Sequence, residues 1–173
     1  ASLCNEVAAQ TAPAPLFRDP ITDGAADPVL IWNRQEKSWW MLYTQRRANC
    51  ESENVAYCYG NAIGIASSDD NGASWVYRGT LDLKIDPGHN TFWAPDIVYH
   101  NGKYHLFVAY IKGVRTHWGG RAHIVHFTSK DMWKWKVKFF RLPWRRDMRS
   151  EGKLLKFSAT KGAVYIAKKI IFR

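Results

Sequence analysis

Three cysteines in 173 residues, Cys4, Cys50 and Cys58, are too few and of the wrong parity for a complete disulfide framework. Cys50 and Cys58 flank a short polar segment, so a single loop-closing bridge stays open in an oxidising compartment. No run of eighteen apolar residues occurs, which excludes a membrane-spanning helix. Long stretches of 3.6-residue periodicity are missing too, which argues against a helical bundle or a coiled coil. Acidic residues are scarce only at one end. From Lys130 to Arg173 there are 14 basic and 3 acidic residues, net +11, whereas the preceding part sums to −1. Aromatics, by contrast, are abundant: nine Trp, with 14% of the chain Phe, Trp or Tyr and 46% apolar, a composition that disordered and collagen-like chains do not have. The length suits one domain with a sizeable core. The chain starts on Ala, and the stretch from Ala1 to Pro15 is rich in small residues with two prolines. That resembles the start of a processed chain, so a secreted or periplasmic location is expected.

What is present is repetition. Asp27 to Trp32, a polar turn from Asn33 to Ser38, and Trp39 to Tyr43 read as two apolar strands joined by a turn. Ile97 to Tyr99, the turn His100-Asn101-Gly102-Lys103, and Tyr104 to Tyr110 repeat that hairpin. A third strand follows each, Asn61 to Ala66 in the first unit and Ala122 to Phe127 in the second. Turns of matching chemistry come next, Ser68 to Trp75 and Ser129 to Trp135. Ser68 and Ser129 are 61 positions apart, as are Tyr104 and Tyr165. A unit of four short strands recurring about every sixty residues is the pattern of a β-propeller. The expected organisation is all-β: a leader at 1–26, a first blade at 27–80, a second at 91–140 and the start of a third at 150–173. About two and a half blades leave the propeller incomplete, and open edges invite self-association.

In a propeller the first strand of each blade lines the central channel, so equivalent positions of successive blades become neighbours. Asp27, Asp96 and Glu151 precede the first strands of the three units. Clustered carboxylates raise one another's proton affinity, which lets one act as an acid while another stays ionised. Glycoside hydrolysis needs that division, with one group protonating the leaving oxygen and another activating water or attacking directly. An Asp before a strand also caps turns, so the reading depends on the three occurring together.

Their surroundings carry a resemblance. Ser68-x-Asp70-x-Gly72-x-Ser74-Trp75 fits the Asp box found at the outer turns of propeller blades in several sugar-acting families. Ala26-Asp27-Pro28 and Trp93-Ala94-Pro95-Asp96-Ile97 resemble the first two signatures of family 43 glycoside hydrolases and their relatives, which are five-bladed propellers acting on polysaccharides. The resemblance covers roughly Asp19 to Leu142. It implies Asp27 as general base, Asp96 as the aspartate that orients and tunes the acid, and a Glu opening the third blade as the acid itself. Ser150-Glu151-Gly152 matches that last element, except that Lys153 stands where Pro is usual; Asp147 is the reserve. The resemblance implies inversion, whereas the neighbouring invertase-like family would use the first aspartate as a nucleophile.

Trp32, Trp93 and Trp118 are expected as stacking platforms for the apolar faces of sugar rings. Trp39, Trp40, Trp75 and Trp135 are assigned to the space between blades. Arg46, Arg47, His89 and Arg115 fall on loops after inner strands, within reach of sugar hydroxyls, with Arg46 and His89 the chosen contacts. His123 and His126 alternate on one strand without a carboxylate at ligand spacing, so no metal and no cofactor is expected. A carbohydrate is the expected partner. Two other classes stay open: a non-catalytic carbohydrate-binding or inactive propeller fragment, and a polyanion-binding module using the basic segment from Lys134 to Lys169. Charged outer faces of blade strands give the same pattern as the latter, and no nucleic-acid motif is present.

Overall fold

The structure, a computed structural model, describes residues 15–143. Cys4, Asp147, Glu151, the third unit and most of the basic segment lie outside the described residues. Among those described there are eight strands and one short 3₁₀ turn. β1 (Asp23–Asn33), β2 (Ser38–Arg47), β3 (Ile63–Ser68) and β4 (Val76–Thr80) form one antiparallel sheet in sequence order. β5 (Thr91–His100), β6 (Lys103–Ile111), β7 (His123–Ser129) and β8 (Lys136–Pro143) form the second. The 3₁₀ turn, Ala56–Cys58, lies in the connection from β2 to β3. These are two meandering blades, and the repeat is in phase: Trp39 pairs with Ser68 as Tyr104 pairs with Ser129. β1 begins at Asp23, so the inner strand already runs four residues before reaching Asp27.

Local chemistry sets the turns. The second hairpin closes through Asn101 and Gly102, both at positive φ (46° and 72°), the combination a two-residue turn requires between twisted strands. Both outer turns are built alike. Asp70 accepts the Ser74 amide and hydroxyl while Trp75 Nε1 donates to the Gly72 carbonyl. In the second blade Asp131 accepts the Trp133 and Lys134 amides, and Trp135 Nε1 donates to the Met132 carbonyl. Met132 thus takes the left-handed position of Gly72, at φ 65°, with its side chain fully buried.

The sheets share one core. Trp40, Leu42, Ile63 and Ile65 of the first blade pack on Ile97, Tyr104, Leu106, Val108 and Phe127 of the second. β2 and β6 are central strands covered on both faces, which is why they read as unbroken apolar runs rather than alternating ones. The opposite face of β2 places Met41 and Tyr43 against Phe17 and Trp75. Asp19 clamps the segment before β1 onto that face: it is buried, accepts the Tyr43 hydroxyl and the Gln45 amide, and caps the Ile21 and Thr22 amides. Burial alone would raise its pKa, but these bonds hold its carboxyl below the usual range, while burial, with the bond to Asp19, pushes the Tyr43 phenol up. At the hairpin end, the Tyr104 hydroxyl accepts the Arg34 amide at 2.8 Å, tying the second blade to the first blade's turn.

Cys50 and Cys58 are free thiols, not the bridge their spacing allowed. Cys58 faces inward beside Tyr59 and Ile111, whereas the Cys50 sulfur accepts from Arg47. Trp40 and Trp135 do fill the space between blades, and Trp75 covers the other face of the first; Trp39 is part-exposed and packs on Trp32 instead.

Candidate active site

β1 and β5 are each the first strand of a sheet, paired on one side only. Each carries a bulge, between Ala26 and Val29 in one and between Trp93 and Asp96 in the other. Each bulge consists of a residue at positive φ followed by proline: Asp27 (φ 50°) before Pro28, and Ala94 (φ 45°) before Pro95. Proline is tolerated there because an edge strand at a bulge has no ladder hydrogen bond to lose. This register corrects the assumed equivalence of the two aspartates. Asp27 matches Ala94, whereas Asp96 matches Val29, two residues further along. The carboxylates therefore leave different points of the same repeated bend.

Their environments differ accordingly. Asp27 is exposed. Asp96 is half-buried, and its Oδ2 is enclosed with no hydrogen-bond partner. Loss of hydration raises the Asp96 pKa, opposed only in part by the Ile97 amide. One residue links the two bulges. Thr44 of β2 is fully buried; its Oγ1 accepts the Ala94 amide at 2.8 Å and lies 3.5 Å from Asp27 Oδ2.

The loops at this end form a wall beside the bulges. Tyr59 and Gly119 exchange hydrogen bonds at 2.9 Å in both directions, and the Val55 amide donates to the Thr116 carbonyl, so the β2–β3 and β6–β7 connections interlock. On that scaffold Tyr59, Trp93 and Trp118 form an aromatic corner, with ring centroids 5.0 Å (Tyr59–Trp93), 6.2 Å (Tyr59–Trp118) and 6.5 Å (Trp93–Trp118) apart. Trp93 is fixed by donating its indole N–H to the Cys58 carbonyl; Trp118 is 67% exposed.

Strand direction places Arg46, Arg47, His89 and Arg115 at this same end. Arg47 is engaged internally, donating to the Tyr59 and Ala56 carbonyls. Arg46 is half-buried at the end of β2 with an unpaired Nε. His89 is exposed and its Nε2 meets the Gly60 carbonyl at 2.9 Å, while Arg115 is exposed on the β6–β7 loop. A solvent-open cavity of about 620 Å³ between Gly60–Ala62 and the loop carrying Ile85 and His89 lies nearby, but neither aspartate lines it. Trp32 is the misplaced residue. It sits one position before the hairpin turn at the far end of β1, edge-on to Trp39, because a strand that begins at the bulge end finishes at the other. His126 stacks on Phe107 and hydrogen-bonds His105, well inside the second blade. Among the described residues no group of three or more His, Cys, Asp or Glu is arranged to hold a metal ion, and no helix is long and apolar enough to cross a membrane.

Thr44 and Tyr59 were absent from the sequence-derived site. Thr44 carried a weak signal, as the first polar residue ending a buried apolar run. Tyr59 carried none, since its part depends on a loop sixty residues away.

Comparisons with known proteins bear on the fold. The profile of the glycosyl hydrolases family 32 N-terminal domain matches residues 87–168. No curated protein matches significantly. Among solved structures, a family 43 β-xylosidase/α-arabinofuranosidase from a compost microbial metagenome is 19% identical, with a TM-score of 0.50 over 68% of this chain and 35% of that one. A family 117 glycoside hydrolase from the marine bacterium Zobellia galactanivorans is 18% identical (TM-score 0.48, 70% of this chain, 40% of that one). An exo-1,5-α-L-arabinanase from a bovine ruminal metagenomic library is 23% identical (TM-score 0.44, 70% and 38%). The chain thus spans 35–40% of the length of these structures. Its fold is part of a β-propeller of the five-bladed glycosidase type, and the chain is similar to the propeller glycoside hydrolases of families 32 and 43.

Proposed function

We propose that this chain contributes to a glycoside hydrolase that cleaves O-glycosidic bonds of an oligo- or polysaccharide with inversion. The observation that carries the reading is the pair of Pro-bearing bulges on adjoining inner strands, linked through Thr44, which bring Asp27 and Asp96 to one end of the blades. Asp27, open to solvent, is the base that activates water. Asp96, desolvated and inclined to hold a proton, tunes the group that protonates the leaving oxygen. Glu151 is assigned that acid role, with Asp147 in reserve; both fall beyond the described residues. An inverting pair leaves room for one water, which requires carboxyl groups about 6.5–9.5 Å apart. The corner of Trp93 and Trp118 offers indole faces to the C–H surface of a sugar ring, and Arg46 and His89 stand at the same end for its hydroxyls. A substrate of polymeric size fits a secreted or periplasmic enzyme.

The test is hydrolysis of a panel of aryl glycosides, including xylosides and arabinofuranosides, the sugars named for one structural neighbour. Asp27→Asn and Asp96→Asn should each lower turnover by about 10²–10⁴-fold with unchanged secondary structure. Undiminished turnover in either variant removes that carboxylate from the mechanism. NMR of the first-formed anomer separates inversion from the retention expected if Asp27 were a nucleophile.

A second reading is a carbohydrate-binding fragment without turnover. It is favoured by the aromatic corner of Trp93 and Trp118, which can hold a sugar ring whether or not a bond is cleaved. Calorimetric binding of an oligosaccharide that is never hydrolysed would support it over the first.

A further inference from the structure

Thr44 lies at the proposed site but belongs to neither aspartate-bearing motif. We infer that Thr44 is a positioning residue that couples the two aspartate-bearing bulges, orienting the Asp27 carboxylate and holding the bend that delivers Asp96. This rests on the proposed function for its catalytic consequence, but the coupling itself is a matter of hydrogen bonds.

Thr44 is fully buried, so its hydroxyl would be costly there unless bonded. A threonine hydroxyl has one proton to give and lone pairs to receive. The Ala94 amide takes the receiving side at 2.8 Å. The proton is then left for Asp27 Oδ2, 3.5 Å away, a separation that tightens readily once substrate orders the carboxylate. Ala94 needs the anchor. It is a non-glycine residue at φ 45°, a conformation that L-residues adopt at a cost and keep only when their surroundings impose it.

The repeat supplies an internal control. Thr44 pairs with Ala26, the last residue before the first bulge; the corresponding partner of Trp93, the last residue before the second, is Ala109. The second blade builds the same bulge with no hydroxyl at that place. Thr44 is therefore not required by the bulge of its own blade. Its hydroxyl serves the junction with the next.

Thr44→Val keeps the shape and removes both hydrogen bonds, while Thr44→Ser keeps the hydroxyl. With an aryl glycoside, Thr44→Val should lower kcat by about 10²-fold with KM within about twofold, and move the acid limb of the kcat/KM profile to higher pH. Thr44→Ser should retain the wild-type profile. A Thr44→Val enzyme with unaltered kcat and pH profile overturns the inference, as does a Thr44→Ser enzyme as impaired as Thr44→Val. A merely structural role would lower active fraction without moving the pH profile. Should the wild-type chain show no turnover, the glycosidase reading fails separately, and hydrogen exchange of the Ala94 amide decides the coupling. Exchange about tenfold faster in Thr44→Val but not in Thr44→Ser upholds it, and equal rates in all three overturn it.

Discussion

Acidification from pH 7.5 to 4.5 should weaken this fold through two histidines that have no part in the proposed chemistry. His126 is 3% exposed, lies 4.5 Å from the Phe107 ring at an interplanar angle of 8°, and shares a 3.0 Å hydrogen bond with His105. One imidazole donates and the other accepts, so the bond loses its acceptor once both rings are protonated, and a charge on the buried His126 ring is already costly before that. Burial is the largest influence on His126 and the charges of His105 and Lys138 add to it, together bringing its pKa down to about 4. Burial also lowers His105, with Lys138, His100 and Lys103 contributing and the His100 carbonyl opposing. An unfolded histidine takes its proton near pH 6.5. The unfolded chain therefore binds protons that the fold refuses, and stability that is complete above about pH 6.5 is lost as pH falls towards 4. Moving the proton site from near 6.5 to about 4 corresponds to about 3 kcal/mol, a large share of the roughly 5–15 kcal/mol typical of a domain. The carboxylates act in a separate window. Asp19, Asp70 and Asp131 are all held below their ordinary values by hydrogen bonds, so their contribution is intact above about pH 4 and disappears only below it. Urea titrations followed by tryptophan fluorescence at pH 7.5, 6.5, 5.5 and 4.5 measure the effect, with His126→Phe as the variant that keeps a ring in the stack and loses the proton site. A midpoint that does not move in the wild type, or one that falls equally in His126→Phe, would refute the reasoning.

Other consequences can be checked on the same protein. Gly64→Ala places a Cβ 2.3 Å from Tyr43 Cζ in a central strand pair, so it should cost about 3 kcal/mol or prevent folding, read by thermal denaturation. Trp118→Ala should leave the thermal midpoint within about 1 °C, because the side chain is 67% exposed, yet weaken oligosaccharide binding about tenfold by calorimetry.

The repeat was legible because its signals are local. The Asn-Gly hairpin, the two Asp-bearing outer turns and the apolar central strands each follow from neighbours within ten residues, and together they fix the four-strand period. The candidate site was only partly legible because its errors concern geometry across the repeat. Counting from motif to motif put Asp27 and Asp96 in register, yet each bulge inserts residues that have no partner, and the two aspartates stand at different positions in it. Trp32 has the residue type of a sugar platform, but β1 carries it to the opposite end of the blade. Met132 departs from the outer-turn pattern, since a buried methionine holds the backbone where the first blade has glycine. The Cys50–Cys58 spacing permitted a bridge, but the short 3₁₀ turn directs the second sulfur into the core.

The difference in phase bears directly on the proposed chemistry. Two carboxylates projected from identical positions of a repeated unit would meet nearly the same surroundings, and symmetry would work against giving them separate roles. The proposed mechanism needs the opposite, two groups whose environments suit them to different tasks. The repeated bulge achieves this without departing from the repeat. At its first residue the side chain stands in solvent, as Asp27 does; two residues later the strand has turned inward, and Asp96 loses enough water for its proton affinity to rise. Exchanging the acidic position within one bulge therefore tests the argument better than deleting it. In a double variant, Asp27→Ala with Val29→Asp, the carboxylate moves to the position that matches Asp96 while the count of acids is unchanged. On the proposed reading, turnover falls as far as in Asp27→Asn, by about 10²–10⁴-fold. Recovery of activity in that double variant would show that a carboxylate anywhere on the bend suffices, and the assignment of distinct roles by phase would have to be abandoned.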